Sequence, residues 1–286
     1  MTRYTFVIGS NSFIGKNIIE NKNSNLNYVG INRKKIDLSN RINSKIVKKN
    51  IKKNSILIFL AFKTKHISKT PSIIDNINLI MNCADIIKYS KPKHVILFSS
   101  LSVFGDMKNY YNFDENAMVN PDTEYGVAKV FSEKIINSLQ KKLKFNLTII
   151  RIPKVFGKHD YENEYGPTSF LNSIIKKTPL KIWGDGEDKK HFLYINDLLK
   201  IIELIIKKKI FGTFIIAPEK SYSFKKLATE CLKITKSKCE LTFKKRTYNG
   251  SDHIVKSNKI MKLLKNYKFT KMTVAIKKYY KELKNK

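Results

Sequence analysis

The sequence predicts an α/β protein with a doubly wound parallel sheet and a smaller C-terminal lobe interleaved with it. Three observations support this fold class. Up to about residue 155, short apolar runs alternate with stretches of helical periodicity, which is typical of a parallel sheet covered on both faces. A glycine turn directly follows the first apolar run, and beyond residue 155 the alternation loosens. We therefore expect one domain over residues 1–155 and a lobe over 156–286, some segments of which return to the first domain.

The individual elements follow from the period of the apolar residues. Runs with β-propensity predict strands at Tyr4–Ile8, Tyr28–Ile31, Ser55–Leu60, Val95–Phe98, Leu147–Ile150 and Thr213–Ile216. Helical periodicity predicts helices at Phe13–Asn21, Thr70–Tyr89, Thr123–Leu143, Ser169–Lys177, Asn196–Lys208, Phe224–Thr235, Ser257–Leu264 and Thr273–Leu283.

The formal net charge of +33 admits two interpretations: a basic face for nucleic acid or membrane, or a lysine-rich composition spread over the chain. Only five of the 56 basic residues are arginine, which nucleic-acid surfaces use for bidentate contacts. Lysine, asparagine and isoleucine are abundant throughout the sequence. Composition is therefore the favoured explanation, and neither nucleic acid nor a membrane is an expected partner.

Other features of the sequence bear on location and metal binding. The longest apolar run, Ile56–Phe62, is far too short to cross a bilayer, and the first residues lead into a strand without a signal-like apolar region. A cytoplasmic location is therefore expected. Cys83, Cys231 and Cys239 form no CxxC pair and have no histidine at ligand spacing, so no metal site is predicted. Cys83 falls in an apolar helix pattern and is expected to be buried.

A glycine loop, Gly9-Ser-Asn-Ser-Phe-Ile-Gly15, lies between the first predicted strand and the first predicted helix. This is the place of the dinucleotide fingerprint in Rossmann-type folds. The first glycine permits a tight turn, the last permits close packing of helix on strand, and helix N-terminal N–H groups meet the pyrophosphate. Cofactor contacts are therefore predicted at Gly9, Ser12, Phe13, Ile14 and Gly15.

The segment after the second strand bears on the choice of cofactor. NAD enzymes commonly place Asp or Glu there for the ribose 2′-OH, whereas NADP enzymes use arginine to meet the 2′-phosphate. This chain has Asn32, Arg33 and Lys34, and its first acid is Asp37. NADP is therefore the favoured cofactor, and NAD is the alternative.

Tyr125 and Lys129 form a YxxxK pair at the start of a long helical pattern. The i, i+4 spacing places both side chains on one face of the helix. An ammonium group beside a phenol stabilises the phenolate, which suits such a pair to proton transfer. The two residues are therefore the candidate catalytic centre.

Further motifs follow in order over nearly the whole chain. Val95–Gly105 resembles a strand followed by SSxxVYG, and Arg151–Gly157 resembles RxxNVYG. Ile182–Gly186 is similar to an IYGDG turn, and Lys190–Asp197 to RDFIYVDD. Together with the glycine loop, these motifs resemble the extended short-chain dehydrogenase/reductase family of the NAD-dependent epimerase/dehydratase type, whose members modify sugar nucleotides. Asn76 matches, in part, the first residue of the family's NVxGTxN helix.

The resemblance implies roles for residues at the matching positions. Ser100 is implied to hold the keto oxygen of the sugar, Tyr125 to transfer the proton, and Lys129 to bind the nicotinamide ribose. Asp37 is implied to face the adenine amine, and Ser12 stands where the family has its middle glycine. Further cofactor contacts are expected at Asn32, Arg33, Leu38, Leu60 and Ala61.

The resemblance also implies contacts with a nucleoside-diphosphate sugar. Lys154 replaces the family's usual Asn and Lys190 a diphosphate-binding Arg; lysine neutralises phosphate but cannot form the planar fork. Trp183 is either a stacking surface for the base or part of the core. His159, in a segment resembling GPHD, is either a substrate contact or a loop histidine. The predicted substrate-binding residues are Ser100, Lys154, His159, Trp183, Lys190 and Arg246.

Residues after Ser100 separate the reactions found in this family. The 4,6-dehydratases carry Asp-Glu there, where this chain has Leu101 and Ser102, and the 3,5-epimerase/4-reductases carry Cys where Ser102 stands. The reactions left are reduction of a nucleoside-diphosphate-4-keto-sugar, which Arg33 favours, and NAD-dependent nucleotide-sugar 4-epimerisation. A non-catalytic protein on the same fold is disfavoured because Ser100, Tyr125 and Lys129 are all present.

A homodimer is also implied by the resemblance, built on the helices predicted at Thr70–Tyr89 and Thr123–Leu143. Both helices carry apolar residues on more faces than one core contact requires. The residues expected to take part are Ile73, Ile77, Ile80, Ile135 and Ile136.

Overall fold

The computed structural model describes residues 4–22, 24–63, 73–105, 113–160, 166–246 and 252–285. The chain forms two compact units, each assembled from separate segments. The sheet unit comprises Met1–Gly105, Ala117–Ile152 and Leu199–Ile215. The second unit comprises Asp106–Asn116, Pro153–Leu198 and Ile216–Lys286.

Strands and helices alternate along the described chain. The strands are β1 (Tyr4–Ile8), β2 (Asn27–Ile31), β3 (Ile56–Phe59), β4 (His94–Ser100), β5 (Asn146–Ile152), β6 (Lys154–Phe156), β7 (Leu180–Trp183), β8 (Lys189–Lys190), β9 (Phe192–Tyr194), β10 (Gly212–Ile215), β11 (Tyr222–Ser223) and β12 (Leu241–Lys244). The helices are α1 (Phe13–Ile19), α2 (Ser44–Asn50), α3 (Ile73–Ser90), α4 (Glu124–Leu143), α5 (Thr168–Ile175), α6 (Ile195–Lys208), α7 (Phe224–Thr235), α8 (Asn258–Leu263) and α9 (Met272–Lys284). No described helix is long and apolar enough to cross a membrane.

The sheet unit is built on six parallel strands in the order β10-β5-β4-β3-β1-β2. The chain moves outward from β1 to β2 and then returns past β1 to β3, so the strand order reverses between β1 and β3. In open α/β sheets, ligands bind outside the carboxyl ends of the strands at such a reversal. The predicted doubly wound parallel sheet is confirmed.

The central strands of this sheet are buried on both faces. Leu57 and Ile58 of β3 and Val95 and Ile96 of β4 have no exposed surface. Continuous apolar runs, rather than alternating ones, are what a parallel sheet covered on two sides requires. Each such side chain contributes about 1.5–3 kcal/mol by burial, so the sheet is a rigid support for the loops at its edges.

All of the predicted strands and helices are present, with ends that differ by one or two residues in most cases, as is usual for element boundaries. Residues 70–72 of the helix predicted at Thr70–Tyr89 lie outside the described residues. The sequence did not predict α2, which buries only Val47 and so has no apolar stripe. It also missed the two- to four-residue strands of the second unit, which are too short to show a period.

The prediction of which apolar residues form a dimer surface is wrong for two of them. Ile80 and Ile136 are buried within the chain's own core, because α3 and α4 pack on each other and on the sheet, and so neither is available to a second subunit. Ile74 and Met81, which the sequence did not single out, are the exposed apolar residues of α3, at 64% and 45%.

Candidate active site

The glycine loop passes close to the backbone at the carboxyl edge of the sheet. Gly9 has φ +86°, and a Cβ there would lie 2.8 Å from the Ala61 nitrogen. A Cβ on Gly15 would lie 2.4 Å from the Gly9 carbonyl oxygen. Ser12 caps α1, because its hydroxyl accepts a hydrogen bond from the Gly15 N–H at 3.2 Å. Both glycines are therefore sterically required, and Ser12 has a capping role that the motif did not reveal.

The segment after β2 presents an exposed cation. Arg33 and Lys34 are exposed, and the backbone beneath them is fixed by a 3.1 Å hydrogen bond from the Lys34 N–H to the Asn32 side-chain oxygen. Among the described residues, no carboxylate pairs with Arg33. Asp37 instead stabilises its own turn, since it accepts a hydrogen bond from the Ser39 N–H at 2.9 Å.

The segment after β3, which includes Leu60 and Ala61, is held by hydrogen bonds to the side-chain amide of Asn76. The Asn76 side chain, only 4% exposed, accepts from the Lys63 N–H at 2.8 Å and donates to the Lys63 carbonyl at 3.1 Å. The Leu60 N–H bonds to the Ile8 carbonyl at 3.0 Å, which continues the pairing of β3 with β1. This gives the partial motif match at Asn76 a physical role: it fixes the backbone beside the glycine loop.

Lys129 is buried beneath this segment. Its ammonium group donates to the Phe98 carbonyl at 3.0 Å and lies 3.8 Å from the centroid of the Phe62 ring. The Tyr125 ring centroid is 5.5 Å from the same nitrogen, and the Tyr125 and Phe62 rings meet edge to face at 5.3 Å. The predicted pair therefore comes together, and Phe62 completes a cluster that the sequence did not predict.

Burial governs the protonation of Lys129. Desolvation lowers its pKa to about 7, against the opposing effect of the Glu133 carboxylate, whose negative charge favours the ammonium. Cys83 is buried, as predicted, and its burial raises the pKa of its thiol. Both protonation states of Lys129 are therefore accessible near neutral pH, a property typical of functional lysines.

The start of α4 sets the position of Tyr125. Thr123 caps the helix by accepting from the Gly126 N–H at 3.1 Å. A Cβ on Gly126 would lie 2.4 Å from the Ser102 carbonyl oxygen, so only glycine lets the helix start dock on the turn after β4. In that turn the Ser100 hydroxyl accepts from the Ser102 N–H at 3.1 Å and lies 3.1 Å from the Ser102 hydroxyl. Tyr125 and Ser100 are thus carried by two segments in direct backbone contact.

A buried ion pair supports α4 from below. Arg151 donates to both carboxylate oxygens of Glu133, at 3.0 and 2.8 Å, and both side chains are less than a tenth exposed. The guanidinium also lies 5.0 Å from the Phe104 ring centroid. Glu133 follows Lys129 by one helical turn, so the pair fixes the helix at the level of the lysine. Two features of the sequence could have indicated this ion pair. Arg151 is one of only five arginines, and Glu133 lies on the same helix face as Lys129.

The predicted substrate contacts other than Ser100 lie in the second unit. Lys154 pairs with Phe192 between β6 and β9, and Lys190 pairs with Tyr222 between β8 and β11. Trp183 is 49% exposed at the end of β7, with the Lys244 ammonium 5.4 Å from its ring, so it is not a core residue. His159 adopts φ +68° in the turn after β6.

Arg246 is held by two carboxylates of the same unit. Its guanidinium forms an ion pair with Asp188 and lies 3.9 Å from the Asp185 carboxylate. Gly184 leaves room for it, because a Cβ there would lie 2.7 Å from the Arg246 side chain. From the sequence we predicted that Arg246 contacts the substrate, and we did not predict its ion pair with Asp188.

Comparison with known proteins identifies the class to which these features belong. The sequence model of the NAD dependent epimerase/dehydratase family matches residues 5–217. A putative UDP-glucose 4-epimerase from Methanocaldococcus jannaschii is 32% identical over 115 residues, which are 40% of this chain and 37% of that protein. The chain aligns with less than half the length of the curated relatives it matches first.

Solved structures share the fold over nearly the full chain. UDP-glucuronic acid 4-epimerase from Bacillus cereus, in complex with UDP-glucuronic acid and NAD, has a TM-score of 0.79 at 19% identity and 99% coverage of both chains. RMD from Pseudomonas aeruginosa, complexed with NADPH, has a TM-score of 0.83 at 13% identity and 99% coverage of both chains. At these identities the likeness establishes the fold.

Proposed function

Because this chain belongs to the NAD dependent epimerase/dehydratase family, we propose that it is a nicotinamide-dependent enzyme that reduces a nucleoside-diphosphate-4-keto-sugar. The observation that carries the proposal is the buried Lys129 ammonium beside the Tyr125 ring, at the carboxyl edge of a parallel sheet. Such a pair stabilises a phenolate and so suits reversible proton transfer to a sugar oxygen.

The residues at the sheet edge fit a dinucleotide. Gly9 and Gly15 form a cradle that a Cβ would fill, and Asn76 holds the neighbouring backbone against it. When bound, the cofactor supplies hydride to the sugar keto carbon. Tyr125 then donates its phenolic proton to the keto oxygen, which Ser100 orients through its hydroxyl, and the Lys129 ammonium stabilises the phenolate left behind. In the second unit, Lys154, Lys190 and Arg246 are the proposed contacts for the diphosphate, and Trp183 for the base.

The 4-epimerase alternative rests on the names of the relatives. Both the curated relative and the Bacillus cereus structure are named as 4-epimerases. An epimerase returns the hydride to the sugar and retains its cofactor, whereas a reductase exchanges it. Exposed Arg33, without a described carboxylate partner, favours NADP and hence the reductase, and one structural neighbour is complexed with NADPH.

One assay separates the two reactions. The protein is incubated with NADPH and a UDP- or dTDP-4-keto-hexose, and nicotinamide absorbance and sugar products are followed together. A reductase oxidises one NADPH for each sugar reduced. An epimerase interconverts UDP-glucose and UDP-galactose, or their N-acetylated or uronic forms, with no net cofactor oxidation. Absence of both activities, in protein shown by thermal unfolding to be folded, would contradict the proposal.

Arg33→Ala is expected to weaken NADP binding by roughly 10- to 100-fold, because a charge-assisted contact with the 2′-phosphate is worth about 1.5–3 kcal/mol. NAD lacks this phosphate, so its affinity should barely change. Arg41→Ala is the matched control, since Arg41 is also exposed and its loss changes the charge equally. Both dissociation constants are measured at one ionic strength. Equal losses for NADP and NAD would show that Arg33 is structural, and wild-type preference for NAD would favour the epimerase.

We also propose that the chain forms a homodimer through α3 and α4. Ile74, Met81 and Tyr89 on α3 and Val127 on α4 are exposed apolar or aromatic residues on these two helices. Light scattering at micromolar concentration is expected to give the mass of two chains. Met81→Lys places a charge in the apolar surface and should shift the protein toward monomer, whereas a wild-type monomer would contradict the proposal.

A further inference from the structure

A large cavity of the sheet unit lies at the amino ends of its strands, opposite the edge that carries Gly9 and Ser100. Its volume is about 1240 Å³, and it opens between the starts of β1, β3, β4 and β5. No residue of the candidate active site lines it. Six of its fourteen lining residues are lysines and none is acidic: Lys52, Lys53, Lys91, Lys93, Lys142 and Lys144.

This concentration of lysine exceeds the composition of the chain. Lysine makes up 51 of the 286 residues, fewer than one in five, whereas it makes up six of the fourteen that line the cavity. Within the part of the chain that the structure describes, no carboxylate forms an ion pair with any of the six. The Lys52 ammonium lies 4.0 Å from the Tyr4 ring centroid. The cavity is therefore a region of uncompensated positive charge.

Helix termini account for only a small part of this charge. The helices α3 and α4 end here, and each C-terminus carries about half a negative charge, so two helix ends balance roughly one of six ammonium groups. One carbonyl in the last turn of each helix already has a partner: the Lys91 N–H bonds to the Ile87 carbonyl at 3.0 Å and the Lys144 N–H to the Gln140 carbonyl at 2.8 Å. An excess of about five positive charges is left for a ligand.

A second observation points to a polar ligand. Ser55 lines the cavity at the start of β3 and is only 3% exposed, yet its hydroxyl has no hydrogen-bond partner among the described residues. A buried hydroxyl without a partner costs free energy, and such groups are uncommon in folded proteins. The oxygen itself is not accessible in this structure, so an anion seated among the lysines accepts its hydrogen bond only after the Ser55 side chain turns toward the cavity.

From these features we infer that the cavity binds a compact oligophosphate. Lysine meets phosphate as a point charge, and the cavity has no arginine fork for reading base edges. Tyr4, which could stack on a base, already faces the Lys52 ammonium. The volume exceeds that of typical small-ligand pockets, about 300–1,000 Å³, so several linked phosphates fit better than one. The site is separate from the candidate active site, and the inference stands whichever reaction the enzyme catalyses.

Calorimetric titration with inorganic tripolyphosphate tests this inference. NADPH is present throughout, so that the dinucleotide site does not take up the probe. The triple variant Lys52→Gln, Lys93→Gln, Lys142→Gln removes three exposed cavity lysines and is expected to weaken binding about tenfold or more. The control Lys277→Gln, Lys278→Gln, Lys281→Gln removes equal charge from exposed positions of α9 and should change binding less than about threefold.

Other outcomes overturn the inference. Equal weakening in both triple variants would show that the probe senses only net charge. Binding of a single-stranded RNA that depends on the cavity lysines but is not displaced by tripolyphosphate would assign the site to nucleic acid.

Vesicles containing a lipid with clustered phosphates are tested in parallel. Vesicle binding that tripolyphosphate displaces would support the inference and identify a lipid headgroup as the source of the phosphates. The cavity variant should keep wild-type turnover, which separates this test from that of the proposed function.

Discussion

Replacing Tyr125 with phenylalanine is expected to lower turnover by about 10²- to 10⁴-fold, the usual contribution of a general acid–base group. The substitution removes the phenolic oxygen and keeps the ring that packs edge to face on Phe62 at 5.3 Å. The position of Lys129, which is set by the Phe98 carbonyl at 3.0 Å, does not depend on that oxygen. Cofactor affinity and thermal stability should therefore remain close to those of the wild type.

The measurement pairs kcat with the dissociation constant of the cofactor and the midpoint of thermal unfolding. Tyr280→Phe is the control, because Tyr280 is a half-buried tyrosine on α9, outside both the candidate site and the proposed dimer surface. The variant Tyr125→Phe retaining turnover within about threefold of the wild type would show that another group transfers the proton. Loss of cofactor binding together with turnover would instead indicate that Tyr125 supports the fold of the site.

The fold could be predicted because its signals are local. Central strands of a parallel sheet need apolar residues at every position, and β3 carries four in a row, Ile56–Phe59, all buried. The glycine loop could be predicted for the same reason. The positive φ of Gly9 and the close approach of the Gly9 carbonyl to Gly15 both exclude side chains. α2 was not predicted, because one buried residue, Val47, gives no period to detect.

The site could be predicted only as far as its motifs reach. The spacing of Tyr125 and Lys129 places them on one helix face, and the structure brings them together. The contact of Phe62 with both residues joins segments more than sixty residues apart and has no local signal. The ion pair of Arg246 with Asp188 is also a tertiary contact, formed between the segment that joins β7 to β8 and the segment after β12. Motifs identify the residues of a site, whereas tertiary packing determines which groups each residue contacts.

Phe62 and the Phe98 carbonyl together explain how the fold tolerates a buried ammonium. A cation over an aromatic face gains about 0.5–2 kcal/mol, and a charged hydrogen bond adds about 1.5–3 kcal/mol. These contacts offset only part of the desolvation, since the pKa of Lys129 still falls to about 7. The desolvation free energy that is not offset destabilises the folded state. In return, the Lys129 ammonium lies beside Tyr125 in a site without water, where its charge acts on the phenol without screening.

Lys129→Met is therefore expected to abolish most activity and at the same time to stabilise the protein. Burial lowers the pKa of Lys129 from 10.5 to about 7. At about 1.4 kcal/mol for each tenfold change in proton affinity, the ammonium costs the folded state on the order of 5 kcal/mol. Methionine fills a similar volume without a charge, so the free energy of unfolding near pH 7 should rise by a substantial part of this amount.

The pH dependence gives this prediction its sharpest test. Between pH 7 and 10.5 the unfolded chain binds the Lys129 proton and the folded chain releases it, so the contribution of Lys129 to stability rises with pH over this window. The cost is fully present below about pH 7 and is relieved toward pH 10.5, so the advantage of Lys129→Met should be largest in the lower range and shrink in the higher. Urea unfolding of wild type and variant at several pH values measures the difference, with Lys134→Met, an exposed lysine of the same helix, as the control. A variant less stable than the wild type near neutral pH, or a difference independent of pH, would show that the ammonium is not a burden on the fold.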